Sequence, residues 1–384
     1  MQRKMKVTTS YAPYYPDKLC WEDFKGLEKS YEAKWIEIRD KLSKLDDLVS
    51  KLYWSEPLYT ALVIESIIAA AYLEGYAKNR IEFALKSFND KVDFPFDQQE
   101  LYTFFLNYKS GKLEELKAFD TDEFNSIYKN LYESRYRPYD AHEYFILRNH
   151  WLTEIEEFRV EHYTFPDQDY LKELCDDLSE FCKLNKLNSF AASAIATAQL
   201  ILIDPYRFGT VRMAGLVTPS YLSLKGIKGA KFLHPEVVMA KNRDEFYLQM
   251  YLLCREEKWE EWLDYYYKCS KEMLDEWLEK IYDYTCYYTK NFLRCFSKRK
   301  LGGSDLLYKV AVTEGIFNID KFVEAVGKNR FKNISSKLSI FSTYLYEEGL
   351  LISDGRKKYR WFIVKKIVES FLGDNVKIDK LNFQ

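Results

Sequence analysis

Apolar residues recur at helical spacing along most of the chain. Trp35, Ile38, Leu42, Leu45, Val49 and Leu52 fall three or four positions apart, with Lys, Arg and Asp between them, which predicts an amphipathic helix. Trp259, Trp262, Leu263, Tyr266, Met273, Leu274, Trp277, Leu278 and Ile281 form a second stripe, on one long helix or a helix pair. Aromatic residues at that spacing predict core packing rather than a ligand box. Ala191 to Ile203 is small and apolar throughout, which predicts a fully buried central helix. Strand-like alternation is scarce. Phe158 to Tyr163 alternates and, with Tyr144 to Leu147, predicts one hairpin. Leu350 to Ile352 and Tyr359 to Ile363 flank Ser353-Asp354-Gly355, whose Asp-Gly step predicts another. The pattern is that of a mainly α protein, and 14 Gly and 9 Pro in 384 residues agree with it.

Composition narrows the class. A chain of 384 residues accommodates two or three domains. With 47% hydrophobic and 17% aromatic residues it has ample core material, which excludes a disordered chain. The longest clean apolar run, Ile67 to Leu73, is far short of the ~18 residues a spanning helix needs, so no membrane is expected. The start, Met1 to Lys6, is basic with no apolar segment behind it, so no secretion signal and a cytoplasmic location are expected. Seven scattered cysteines without a CxxC pair support neither a zinc ribbon nor a disulfide framework. His142, His150, His162 and His234 show no metal-ligand spacing, so no metal site is expected. His234-Pro235 has no glycine turn after it and reads as a loop without catalytic work.

Charge divides the chain. Ser297 to Ser304 is basic and then Gly/Ser-rich, as a linker would be. From Lys298 on there are 17 Lys+Arg against 10 Asp+Glu, so the rest carries 40 against 49. The net charge of −2 thus hides a basic tail on an acidic body. The expected division is an N-terminal helical region over 1–110, a core over 111–296 and a tail domain over 297–384.

Ala191 to Gly215 reads AASAIATAQLILIDPYRFGTVRMAG: a buried helix, Asp204-Pro205-Tyr206, a turn with Gly209, and a second helix bearing Arg212. This resembles the Fic (Fic/Doc, Fido-fold) family, which transfers AMP from ATP to hydroxyls of target proteins. Its signature is His-Pro-Phe-x-(Asp/Glu)-Gly-Asn-Gly-Arg-x-x-Arg after a buried helix. Tyr163 to Pro166 is similar to the family's flap, and Glu256 to Tyr267 to a later core helix. The resemblance implies a helical core with a small β-hairpin flap.

The departures bear on chemistry. The family's basic His is Asp204 here, and a carboxylate with pKa near ~3.9 is a poorer base at neutral pH than imidazole near ~6.5. The acidic residue that holds Mg²⁺ falls on Phe208, which has no ligand atom. The Gly-Asn-Gly turn is an anion-holding nest; Gly209 is kept, but Thr210 and Val211 replace the other two members. Arg212 matches the first Arg, and Gly215 stands at the second. Pro205 is kept, and Tyr206 stands in for Phe. Losing the base alone costs ~10²–10⁴-fold in rate, and losing the metal site and nest compounds it. No cofactor is expected, with ATP and Mg²⁺ implied only by residual family activity.

Ala70 to Gly75, ending Leu73-Glu74-Gly75, is similar to the family's inhibitory helix, Ser/Thr-x-x-x-Glu-Gly, with Ala70 at the Ser/Thr position. Glu74 either faces solvent ahead of a Gly75 cap or, if buried, needs a partner. The candidate partner is Arg212.

Residues 305–370 read as three helices and a hairpin, in an order that resembles a winged helix-turn-helix. Arg330, Lys332, Lys337, Arg356, Lys357 and Lys358 are the candidate nucleic-acid contacts; such modules also serve as protein-interaction domains. The leading expectation is a Fic-like protein with a degenerate motif, a pseudoenzyme impaired in AMP transfer and acting as a binding or regulatory protein on a protein partner or as a homodimer. The alternatives are an active nucleotidyl or other group transferase using different chemistry in the same cleft, and a DNA-binding regulator acting through the tail.

Overall fold

A computed structural model describes residues 14–52, 55–74, 104, 120–132, 166, 168–206 and 209–298, with short tail segments at 316–318, 343, 345–347, 351–353 and 361–364. The expected flap over 144–165, with His150 and His162, lies outside the described residues, as do His142, Gly75, Arg207 and Phe208. So do the tail cations Arg330, Lys332, Lys337, Arg356, Lys357 and Lys358.

The described helices are α1 (Glu28–Ser50), α2 (Ser55–Leu73), α3 (Thr121–Leu131), α4 (Gln168–Leu184), α5 (Ser189–Ile203), α6 (Thr210–Leu224), the single turn α7 (Glu236–Met239), α8 (Arg243–Glu256) and α9 (Trp259–Lys298). The chain forms two compact units. The first comprises 1–44, 66–77 and 103–275, and the second 45–65, 78–102 and 276–384.

In the first unit α5 is the axle. Its alanines let α4 and α6 approach, and every residue from Phe190 to Ile203 is buried, as the unbroken apolar run predicts. The helix starts where the Asn188 side chain accepts from the Ala191 N–H at 2.8 Å. Trp262 of α9 donates its indole N–H to the Ala194 carbonyl at 3.0 Å, a contact only a small residue permits. Trp35 of α1 stacks on Phe190 at 5.9 Å. The α9 stripe is core, as expected: Trp262, Leu263, Met273 and Leu274 are fully buried in this unit, and Trp277 and Ile281 in the second.

Outside this core α1 is belted to α9 by charge. The Tyr31 hydroxyl donates to the Glu260 carbonyl at 3.1 Å and to Asp264 at 2.8 Å, Lys34 pairs with Asp264, Lys41 with Asp275, and Lys271 with Glu37 at 2.9 Å. The Tyr267 and Lys271 hydrogen bonds hold the Glu37 carboxyl below the usual carboxylate range. Burial and the Glu37 contact push the Tyr267 phenol up to about 12.

In the second unit Glu65 of α2 accepts from the Trp277 indole N–H at 3.2 Å and from Lys280 at 3.0 Å, so its charge is paired within an apolar helix. The same unit holds a three-stranded antiparallel sheet, β1 (Ile316–Asn318), β2 (Leu351–Ser353) and β3 (Trp361–Val364), in the order β1-β3-β2. Ile352 faces Ile363, so β2 and β3 pair across the Asp354-Gly355 segment. No described helix is long and apolar enough to cross a membrane.

Candidate functional site

The site is the junction between α5 and α6. Helix α5 stops because Asp204 turns left-handed (φ 48°, ψ 59°) and Pro205 follows, which cannot extend a helix. A left-handed L-residue costs roughly 1–2 kcal/mol, least for Asp and Asn. Asp204, at the position of the motif's base, is buried, and its N–H is spent on the Leu200 carbonyl at 3.0 Å. Tyr206 is buried and stacks on Tyr128 of α3 at 4.4 Å and 25°.

Gly209 (φ 82°) opens α6, and Thr210 and Val211 are already in its first turn. Among the described residues only Asp204 and Glu257 take positive φ without being Gly, so a turn of alternating hand does not continue past Gly209. The β-branched Val211 accounts for this, since it cannot adopt the left-handed geometry that a glycine would. From Gly209 the chain enters an ordinary helix start.

That helix start is capped from elsewhere. Gly209 provides no side chain to cap α6. Instead Glu74, just past the end of α2, accepts from the Arg212 backbone N–H at 2.9 Å and from Arg212 Nε at 2.8 Å. The Arg212 side chain is fully buried and that of Glu74 is 10% exposed. Of the two situations open to Glu74 from sequence, the buried one is observed, with Arg212 as its partner. A carboxylate at a helix N-terminus, bonded to N–H and guanidinium together, stands where an anionic ligand would.

Two aromatic rings close the site. The Arg212 guanidinium lies 5.6 Å from the Phe104 ring and 5.7 Å from that of Tyr132. Tyr132 ends α3 and packs against Tyr128 at 4.7 Å and Phe104 at 5.5 Å. A Cβ on Gly209 would fall inside the Tyr132 hydroxyl, 3.1 Å from Tyr132 Cζ and 3.3 Å from Arg212 Cζ. Tyr128 and Tyr132 sit i and i+4 on the face of α3 that is buried, but among 32 tyrosines nothing in the sequence marks them out. Phe104 carries no sequence signal either.

Glu74 is placed by two anchors on α2. At the end of α2 the Tyr247 hydroxyl of α8 donates to the Leu73 carbonyl at 2.8 Å, and Arg243 binds that hydroxyl and lies 5.1 Å from the Tyr72 ring. About two helical turns earlier, Ser66 donates to Glu236 Oε1 at 2.7 Å and lies 3.1 Å from His234 Nδ1. His234 Nδ1 is 2.9 Å from Glu236 Oε1, and its Nε2 is 3.1 Å from the Lys231 carbonyl. A carbonyl only accepts, so Nε2 carries a proton. His234 sits in a connection, as expected, and is buried in a polar cluster there. Glu236 also abuts Gly215, the position of the motif's second Arg: a Cβ there would lie 3.0 Å from Glu236 Oε1.

The residues do not fit a nucleotide triphosphate with its metal. Phe208 has no ligand atom for the cation, Glu74 holds the anion position, and the Tyr132 ring covers Gly209. Among the described residues no three His, Cys, Asp or Glu come together to hold a metal ion. A surface cavity of about 350 Å³ lies away from this junction, between α3 and α4, lined by Asp120, Asp122, Asp176 and Glu180 among others.

No protein-family sequence model and no curated protein matches the chain. A solved structure does. A Fic family protein from Desulfovibrio desulfuricans superposes with a TM-score of 0.51 at 13% identity, covering 92% of this chain and 98% of that one. The chain has the Fic fold. A Fic domain containing signaling protein from Bacteroides thetaiotaomicron is a further neighbour, with a TM-score of 0.45 at 10% identity over 64% of this chain and 97% of that one.

Proposed function

We propose that this Fic-fold chain does not carry out AMP transfer and acts in the cytoplasm as a binding or regulatory protein on a protein partner. The observation that supports this most is the Glu74 carboxylate on the Arg212 N–H and Nε, in a site where Arg212 is fully buried. An anion supplied by the chain itself sits at the helix end that would otherwise take a phosphate. The chemical groups are missing in parallel. Asp204 offers a carboxylate in place of an imidazole, and Phe208 offers no metal ligand.

The test is incubation with labelled ATP and Mg²⁺. The unmodified chain should transfer no label to itself or to a lysate. Label transferred by the unmodified chain would overturn the proposal and favour the divergent transferase.

A second reading concerns the tail. Its support is the β1-β3-β2 order of the sheet, with β2 and β3 paired across the Asp354-Gly355 segment, as the wing of a winged helix would be. On this reading Arg356, Lys357 and Lys358 contact DNA phosphates. Binding of a duplex by the full chain should fall linearly in log–log with salt, and neutralising the three should lower that slope by about 3, at ~0.9 per phosphate contact. Absence of any salt-dependent binding would leave the tail to a protein partner or to homodimer formation.

A further inference from the structure

We infer that Tyr132 is a second stopper of the α6 N-terminus, independent of Glu74, so that the anion position opens only when both are withdrawn. This rests on reading Glu74 as an internal anion.

Three observations meet at Tyr132. Its hydroxyl occupies the space beside Gly209 where even a methyl group would collide, so the Cα of the residue that opens α6 is covered by phenol, next to the Arg212 guanidinium. Its ring holds the Arg212 guanidinium against Phe104, with centroids 5.7 and 5.6 Å away, so the cation cannot swing out to a ligand while the ring stays. It belongs to a different support from Glu74. Glu74 hangs from α2 through Tyr247 and Ser66, whereas Tyr132 hangs from α3. Helix α3 is tied to α4 at its other end: Thr121 N–H donates to Ser179 Oγ at 2.8 Å, and Thr121 Oγ1 to the Cys175 carbonyl at 2.6 Å. The anchors of the two elements are thus different: α4 for α3, and Tyr247 and Glu236 for α2. Withdrawing the carboxylate therefore leaves the phenol over Gly209, and removing the phenol leaves the carboxylate on Arg212.

The consequence is a lock with two keys. A partner that displaces α2 alone relieves the charge blockade and leaves the steric one. Only an event that also shifts the end of α3 exposes the turn to a polyphosphate.

The experiment measures, on the full chain, the rise in melting temperature with added inorganic pyrophosphate and, separately, with ATP and Mg²⁺. A ligand that binds only the folded state raises the transition in proportion to its occupancy. The unmodified chain, Tyr132→Ala and Glu74→Ala should each show no shift. Glu74→Ala/Tyr132→Ala should shift, with an affinity for pyrophosphate at least tenfold above that of Glu74→Ala. Glu74→Ala/Tyr132→Phe removes only the hydroxyl that meets Gly209 and keeps the ring, so it tests the same point should the Ala variant fold poorly; its affinity should also exceed that of Glu74→Ala. If Glu74→Ala alone binds as tightly as both double variants, Tyr132 is no stopper, and Glu74 as the internal anion stands. If neither double variant binds pyrophosphate or ATP, the α6 turn takes no anion. The stopper and the internal-anion reading then fall together, while the absence of AMP transfer is untouched.

Discussion

Gly209 and Arg212 carry most of the consequences at the residue scale. Gly209→Ala places a side chain at φ 82° and into the Tyr132 hydroxyl. Backbone strain and overpacking each cost on the order of 1–3 kcal/mol, so a loss of about 2–6 kcal/mol is expected in urea denaturation. The overpacking share should disappear in a Tyr132→Ala background and the strain share should remain, so a double-mutant cycle separates them. A cycle with no coupling would mean that the phenol does not touch Gly209. Glu74→Ala leaves a fully buried guanidinium without its carboxylate and α6 without its cap. Breaking a buried pair costs about 3–5 kcal/mol. A loss below about 1 kcal/mol would mean that the pair is not formed in solution.

Among the elements, α2 is the one whose position matters most, and few of its contacts can be foreseen. Its run Ile67 to Leu73 is plain in the sequence as an apolar helix, and Glu74 at its end is noticeable because a charge there needs an explanation. The two anchors are not legible. Tyr247 reaches the Leu73 carbonyl from 174 positions away, and Ser66 reaches Glu236 across 170. Local spacing carries no trace of such pairings. The same holds for Phe104 and Tyr132 around Arg212. By contrast, the α1 and α9 stripes are legible from periodicity, because burial on one face imposes period 3.6 on the chain itself, and α5 is legible from its unbroken apolar run. Tyr247→Phe tests the end anchor. One lost hydrogen bond costs about 0.5–1.5 kcal/mol, and amide exchange should quicken at the last turn of α2 before it does in α5. Equal protection in both variants would mean that the hydroxyl does not hold the helix end.

For the molecule as a whole, the belt between α1 and α9 makes the first unit sensitive to acid. The Tyr267 and Lys271 hydrogen bonds keep Glu37 below its ordinary range, and Asp275 is likewise lowered by Lys41 and Lys271 in spite of the burial that opposes it. Carboxylates depressed in the folded state add stability above their unfolded pKa, near ~4. That stability is lost as pH falls through the lower folded values. Thermal stability should therefore decline as pH drops below about 4, and Glu37→Gln should flatten the decline while changing little at pH 7, since such half-exposed pairs contribute only ~0–1 kcal/mol. An unchanged acid limb in Glu37→Gln would assign the sensitivity to other groups.

Gly215 has an implication for how such a cleft could be rebuilt. The space that an arginine side chain would leave through is taken by Glu236, which is itself held by Ser66 and His234. Restoring the guanidinium at 215 therefore means resettling three neighbours at once, one of them on the helix that bears Glu74. Gly215→Arg is therefore a change to a cluster of four residues, Gly215, Glu236, Ser66 and His234, rather than to one position.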